Sequence, residues 1–207
     1  GVELTAQLGQ ENGVELMSHV SAIARKLHAL PIQTSKVHTL TDELRILHKQ
    51  LPLVWQQHPE WRSRITRILK SCEALAASLP SHPPHVGIHR DFYSDQILVD
   101  RNRFWLVDFD LYCQGHPALD IGNFIAHITE QSLREKQNLT AMVDRETALK
   151  KSFINLCLNS SLSKQISKTE LEQAIDAYAV LTLALHIYIS HRIPERNGFN
   201  PAILDLC

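Results

Sequence analysis

An apolar residue recurs every three or four positions along most of this 207-residue chain, and the pattern changes once, between His85 and Asp110. The spacing of three and four is the period of an amphipathic helix, whereas the interruption holds short runs of Val, Ile, Phe and Trp that are typical of strands. Helices with one apolar face must bury it against other elements. We therefore predict a predominantly α-helical α+β fold with a small β part in its middle.

The apolar spacing predicts helices at residues 14–30, 41–51, 60–79, 117–130, 144–158 and 168–191. We expect Thr41 to cap the second helix, and Pro31, Pro52 and Pro194 to follow helix ends, because proline cannot continue a helix. The last helix is apolar nearly all round, which predicts a central position. Since no repeat or long linker divides the chain, residues 1–207 are predicted to form one domain.

Charge and composition exclude several classes of protein. The 21 Lys and Arg residues against 22 Asp and Glu residues leave no broad positive field for nucleic acid. No signal peptide opens the chain, and no run approaches the roughly 20 apolar residues that span a membrane. The four cysteines lie far apart, without a CxxC pair, and are interpreted as reduced thiols. We therefore expect a cytoplasmic protein that contacts neither nucleic acid nor membrane.

Carboxylates flank the predicted strands in the central segment. Residues 97–99 and 104–107 are the predicted strands, and the polar run at residues 100–103 is the predicted turn of a hairpin. Asp91 lies before the first strand and Asp108 directly after the second. A carboxylate beside a buried strand loses part of its hydration, which is unfavourable unless a metal, a donor or a substrate proton compensates. Two such carboxylates around one hairpin indicate a cation site.

The same segment resembles a known family. The triplet His89-Arg90-Asp91, with Gln96 five residues after the Asp and Asp108 after the next strand, is similar to the catalytic loop and metal-binding Asp of kinase-like phosphotransferases. The aminoglycoside phosphotransferase and choline kinase-like family matches best, because Gly115-His116-Pro117-Ala118-Leu119-Asp120 also resembles its GxPxxD element. The resemblance covers residues 14–130 and implies a protein-kinase-like C-terminal lobe whose small β hairpin carries the catalytic loop.

The resemblance also implies a reaction and a role for each residue. The reaction is transfer of the γ-phosphoryl group of ATP, with Mg²⁺, to a hydroxyl or amine of a small-molecule acceptor. Asp91 is the implied catalytic base, which orients the acceptor and takes its proton. Asp108 and Gln96 are the implied metal and nucleotide ligands, although the family has Asn at the position of Gln96. His89 and Asp120 are implied to support the loop.

Nucleotide-binding motifs are missing from the sequence. Neither GxGxxG nor GxxxxGK occurs among the seven glycines. We therefore expect this chain to be the C-terminal lobe of a phosphotransferase whose N-terminal nucleotide lobe lies outside it, and to be inactive or nearly so alone. The acceptor stays open, because residues 168–207 carry only two more acidic than basic side chains. An aminoglycoside, choline, ethanolamine, homoserine and a sugar are all candidates.

Other interpretations of these residues remain. Gln96 and the missing lobe suit a pseudo-phosphotransferase that binds without catalysis. An all-helical scaffold with an incidental triplet predicts that Asp91 and Asp108 lie far apart. A zinc site at residues 82, 85 and 89 is a weaker alternative, because zinc ligands usually include Cys or a further His. Asp110 is either a second metal ligand or a solvated loop residue. On the last helix, residues 186 and 191 are predicted to be a core histidine and a helix-end cation.

Overall fold

The computed structural model describes residues 1–101 and 103–207, and helices dominate it. The α-helices are α1 (Thr5–Leu8), α2 (Gly13–His28), α3 (Leu40–Gln57), α4 (Arg62–Ala77), α5 (Ala118–Lys136), α6 (Val143–Leu158), α7 (Lys168–Arg192) and α8 (Asn200–Leu206). Short 3-10 turns lie at Pro59–Trp61, Ser94–Gln96, Ser161–Lys164 and Pro194–Phe199. The predicted helices are all present, which confirms the predominantly helical prediction.

Helix α3 departs from the prediction at both ends. Its N-cap is Thr39, whose hydroxyl accepts the backbone N–H of Asp42 at 3.3 Å while the Asp42 carboxylate accepts the N–H of Thr39 at 2.7 Å. The Thr39 hydrogen bonds lower the pKa of Asp42 to about 2. The helix also continues through Pro52 to Gln57. Val54 in the last turn is buried in the core. The free energy gained by burying it outweighs the loss of the one hydrogen bond that proline removes, so the helix continues.

The strands form two small sheets. In the first, β4 (Ile97–Asp100) lies between β1 (Val2–Glu3) and β5 (Arg103–Leu106), and both pairings are antiparallel. In the second, β6 (Cys113–Gly115) pairs parallel with β2 (Val37–His38) and antiparallel with β3 (Val86–Ile88). The β4–β5 hairpin confirms the predicted strands. The predicted turn at residues 100–103 includes Asn102, which lies outside the described residues.

Helix α7 occupies the centre of the helical part, as its sequence predicted. It packs most extensively on α5, and it also contacts α3, α4, α6 and α8. By length and apolar composition alone, α7 could cross a membrane, contrary to the expectation that no stretch of the chain could do so. Most of its apolar stretch is buried inside the fold, however, as in the core helix of a globular protein.

Candidate active site

The segment of residues 89–96, called here the 89–96 loop, connects the two sheets. It leaves β3 in one sheet and enters β4 in the other, so the β4–β5 hairpin follows the loop instead of containing it. The backbone takes a left-handed conformation at Arg90, with φ 73°, and again at Asp108, with φ 60°. This conformation is uncommon for residues other than glycine and is often found at functional sites.

A buried carboxylate holds the start of the 89–96 loop. Asp120 lies in the first turn of α5 and is fully buried. Its Oδ2 accepts the backbone N–H of His89 at 3.0 Å, and its Oδ1 accepts that of Arg90 at 2.8 Å. The Nε2 of His28 lies 2.8 Å from the same Oδ2. These hydrogen bonds stabilise the left-handed conformation of Arg90 and the direction in which the loop leaves β3.

The ring of His89 joins this loop to the segment that follows β5. The ring is fully buried, and its Nε2 lies 2.8 Å from the carbonyl oxygen of Val107. Because a carbonyl only accepts, the proton lies on Nε2. Val107 directly precedes Asp108, so the contact holds Asp91 and Asp108 on adjacent loops. Because this nitrogen of His89 is engaged by Val107, it is not available as a ligand for the alternative zinc site at residues 82, 85 and 89.

Asp91, Gln96 and Asp108 form one electrostatic group. The Nε2 of Gln96 donates to Oδ2 of Asp91 at 3.3 Å. Burial raises the pKa of Asp91, the hydrogen bond from Gln96 opposes that rise, and the negative charge of Asp108 adds to it. Asp108 is therefore close enough to act on Asp91, which disagrees with a scaffold that holds the two carboxylates far apart.

The oxygen atoms of this group suit a magnesium ion. Asp108 is exposed, so its carboxylate is accessible. An ionised Asp91 accepts hydrogen bonds only, so the amide nitrogen of Gln96 faces it and the amide oxygen points elsewhere. Among residues 1–101 and 103–207, no three His, Cys, Asp or Glu side chains converge as a metal site. Mg²⁺ fits such a site because it usually takes one or two carboxylates and completes its shell with water and substrate phosphates.

Asp91 also lines a cavity of about 420 Å³ that extends between α5 and α7. The sequence pattern did not predict a site role for its other polar residues, which include Tyr93 of the loop, Asn123, His127 and Glu130 of α5, and His186 of α7. The α5 residues follow one another at intervals of four and three, so they lie on one face of the helix. That polar face within a largely buried helix was the available signal.

Three aromatic rings form one wall of the cavity. Tyr93 stacks on His127 with ring centroids 4.3 Å apart, and the edge of His127 meets His186 at 4.5 Å. Burial lowers the pKa of His127, and it lowers that of His186 to about 4, so both rings are neutral at pH 7. At the same end, Glu130 lies 3.3 Å from Arg134 and 3.9 Å from Arg196.

Two predictions for α7 concern histidines. His186 is fully buried, as predicted for a core histidine. The prediction of a helix-end cation at His191 is wrong. Burial lowers its pKa, and the neighbouring His58 and Arg192 lower it further, so the ring is neutral at pH 7 despite the favourable helix dipole.

Comparisons with known proteins concern the family and the fold of the chain. Residues 3–145 match the family model described as "Phosphotransferase enzyme family". No curated protein matches the sequence significantly. Among solved structures, the fold is similar to an ethanolamine kinase from Plasmodium vivax (TM-score 0.61, 13% identity, covering 100% of this chain and 62% of that chain). It is also similar to a choline kinase from Cryptosporidium parvum (TM-score 0.66, 15% identity, covering 99% of this chain and 66% of that chain). A third similar structure is a glucosamine kinase (TM-score 0.58, 16% identity, covering 94% of this chain and 51% of that chain).

The chain thus spans less than two thirds of the length of each of these kinases. At identities of 13–16% these structural matches concern the fold. The family model, by contrast, matches well over half of the sequence, including the 89–96 loop, Asp108 and Asp120. The chain therefore belongs to the phosphotransferase enzyme family.

Proposed function

We propose that the full-length protein transfers the γ-phosphoryl group of ATP to a hydroxyl or amine of a small molecule, with Mg²⁺. This chain supplies the 89–96 loop and the acceptor cavity. The observation that carries the proposal is the position of Asp91, which lines the cavity, accepts a hydrogen bond from Gln96 and lies within electrostatic range of Asp108. An acceptor in the cavity would therefore reach the same carboxylate that faces the candidate metal ligands.

Asp91 performs the proton step in this proposal. It accepts a hydrogen bond from the acceptor, which orients the attacking atom toward the γ-phosphorus, and takes the proton as the new bond to phosphorus forms and ADP leaves. The raised pKa of Asp91 makes it a stronger base than a solvated carboxylate. The amide of Gln96 fixes the direction of its Oδ2. Asp108 and the amide oxygen of Gln96 would hold Mg²⁺, which neutralises charge on the phosphates.

Substitution of Asp91 tests the proposal. Asp91→Asn keeps the shape of the side chain but cannot take the proton, so we expect ADP formation to fall about 10²- to 10⁴-fold while the affinity for ATP changes little. The measurement is acceptor-dependent ADP release by the full-length protein, with nucleotide binding followed by calorimetry. Asp100→Asn is the matched control, because Asp100 is exposed at the end of β4. Undiminished turnover in Asp91→Asn would contradict the assignment.

Gln96 supports a second candidate function, a pseudo-phosphotransferase that binds ligands without catalysis. Its amide nitrogen is engaged by Asp91, and its side chain is one methylene longer than the Asn of the family pattern. A titration of ATP into the full-length protein with and without Mg²⁺ separates the two candidates. Nucleotide binding that ignores Mg²⁺, together with no ADP formation for any acceptor, would favour the binding module.

A further inference from the structure

His186, in the wall of the cavity, has an imidazole ring whose hydrogen-bonding groups are unpaired among the described residues. Its side chain is fully buried, and neither ring nitrogen has a hydrogen-bond partner among the described residues. A buried polar group without a partner costs free energy, so its presence in a native fold calls for a ligand or water that completes it. A neutral imidazole offers one N–H donor and one nitrogen acceptor. A hydroxyl group, which both donates and accepts, is its natural complement.

The charges around His186 select against a cationic ligand. Glu130 is the buried carboxylate at this end of the cavity, and the guanidinium groups of Arg134 and Arg196 both approach it. The positive charges of Arg196 and Arg134 also contribute to the lowered pKa of His186. A site where they disfavour an imidazolium ion disfavours an ammonium ion for the same reason.

The acidic groups elsewhere in the lining are either engaged or assigned to the reaction. Glu43 pairs with the ring of His38, and Asp95 accepts a hydrogen bond from Thr5. Asp91 is the proposed base. The cavity, at about 420 Å³, is within the usual size of small-molecule sites, about 300–1,000 Å³.

We propose that the acceptor is an uncharged polyhydroxylated molecule, such as a monosaccharide or a cyclitol, one of whose hydroxyls binds the ring of His186 while another meets Asp91. Tyr93 and His127 form the wall between these two contacts. The contact with Asp91 rests on the proposed phosphotransfer, whereas the hydrogen bonds to His186 do not depend on it.

Direct binding in the absence of ATP tests this inference. Glucose and myo-inositol serve as neutral probes, choline and ethanolamine as cationic ones, and calorimetry on the full-length protein gives the dissociation constants. We expect at least one neutral probe to bind at millimolar concentration or below and neither cation to do so. His186→Phe keeps an aromatic ring without nitrogens and should weaken binding of the neutral probe about tenfold, as expected for one or two lost hydrogen bonds.

Two further variants make the result specific. His186→Gln retains a donor and an acceptor and should lose less affinity than His186→Phe. His48→Phe is the control, because His48 is half-exposed and pairs with Glu73. His186→Phe should also unfold at the same or a higher temperature than the wild type, because it removes unpaired buried nitrogens. Loss of affinity in a variant of undiminished stability therefore points to the ligand contact.

Three outcomes would overturn the inference: binding of choline or ethanolamine but no neutral probe, binding of none of the probes, or binding of a neutral probe that His186→Phe leaves unchanged. The proposed function fails separately. Neutral-probe binding that depends on His186, without ADP formation from ATP and Mg²⁺, keeps this inference and rejects the phosphotransfer. Phosphorylation of an amine without binding of a neutral probe keeps the phosphotransfer and rejects this inference.

Discussion

At the scale of single residues, the carboxylate of Asp120 sets the backbone geometry of the 89–96 loop. Its two oxygens accept the N–H groups of His89 and Arg90, and His28 lies against one of them. All three contacts use the Asp120 oxygens as hydrogen-bond acceptors, and both oxygens are acceptors only in the carboxylate form. A buried charge of this kind is stabilised only while its partners are complete.

Asp120→Asn replaces one acceptor oxygen by an NH₂ group, which would face a backbone N–H or the ring of His28 without a bond. We expect the free energy of unfolding to fall by about 3 kcal/mol, which lowers the melting temperature by about 6–12 °C in a protein of this size. Thermal unfolding followed by circular dichroism measures the change. The control Asp110→Asn removes an exposed carboxylate and should shift stability by less than about 0.5 kcal/mol. Equal melting temperatures for the two variants would show that the Asp120 contacts contribute nothing.

At the scale of elements, the contact between α5 and α7 positions Asp120, which holds the 89–96 loop, and also forms the cavity. The helices approach closely at Gly122, where a Cβ atom would lie 2.5 Å from the Cβ of Tyr178 and 2.7 Å from the backbone nitrogen of Ala179. Both distances are shorter than real Cβ contacts, and the second involves backbone that cannot rotate away. Only glycine therefore permits this packing distance.

Gly122→Ala separates two opposing effects. In an exposed helix, alanine is favoured over glycine by about 1 kcal/mol, but a well-packed core loses about 1–3 kcal/mol on overpacking, and a clash with backbone is near the upper end. We expect a net loss of stability in chemical denaturation. Gly198→Ala is the control, because nothing lies within 4 Å of a Cβ there. A Gly122→Ala protein as stable as the control would show that α5 and α7 have room to separate.

At the scale of the whole molecule, several buried histidines connect stability to pH. Burial lowers the pKa of His116, and separately that of His186, from 6.5 to about 4. The Nδ1 of His116 accepts the backbone N–H of Ala118 at 3.0 Å, so the folded protein holds this ring neutral at the start of α5. In the unfolded chain the same histidines bind a proton near pH 6.5.

Between pH 6.5 and about 4 the unfolded state therefore binds more protons than the folded state, and stability falls as the pH falls. Each such histidine contributes up to about 1.4 kcal/mol per pH unit. His116→Asn keeps an acceptor for the Ala118 N–H but does not titrate. The slope of the unfolding free energy against pH should therefore decrease by up to about 1.4 kcal/mol per pH unit, the contribution of one histidine. Urea unfolding at a series of pH values measures it. A slope unchanged from the wild type would contradict the neutral state of His116.

The sequence by itself determined the elements whose cause is local. Helical spacing marked α2 to α7 but not the short α1 and α8. Two short apolar runs on either side of a polar run marked the β4–β5 hairpin, because both patterns depend on residues close together along the chain. The order of His89, Asp91, Gln96, Asp108 and Asp120 was sufficient to predict the family, which residues 3–145 confirm. Their roles in the reaction stay predictions.

The tertiary structure decided what depends on residues far apart in sequence. β1 and β2, each two residues long, exist through partners about 80–100 positions away, as in the pair Val2 and Val99. Helix α3 passes Pro52 because distant side chains bury Val54. The cavity has the same origin. Helical period shows that His127 and His186 each lie on a helix, but only the packing of α5 on α7 brings their rings together, because a period carries no information about which faces meet.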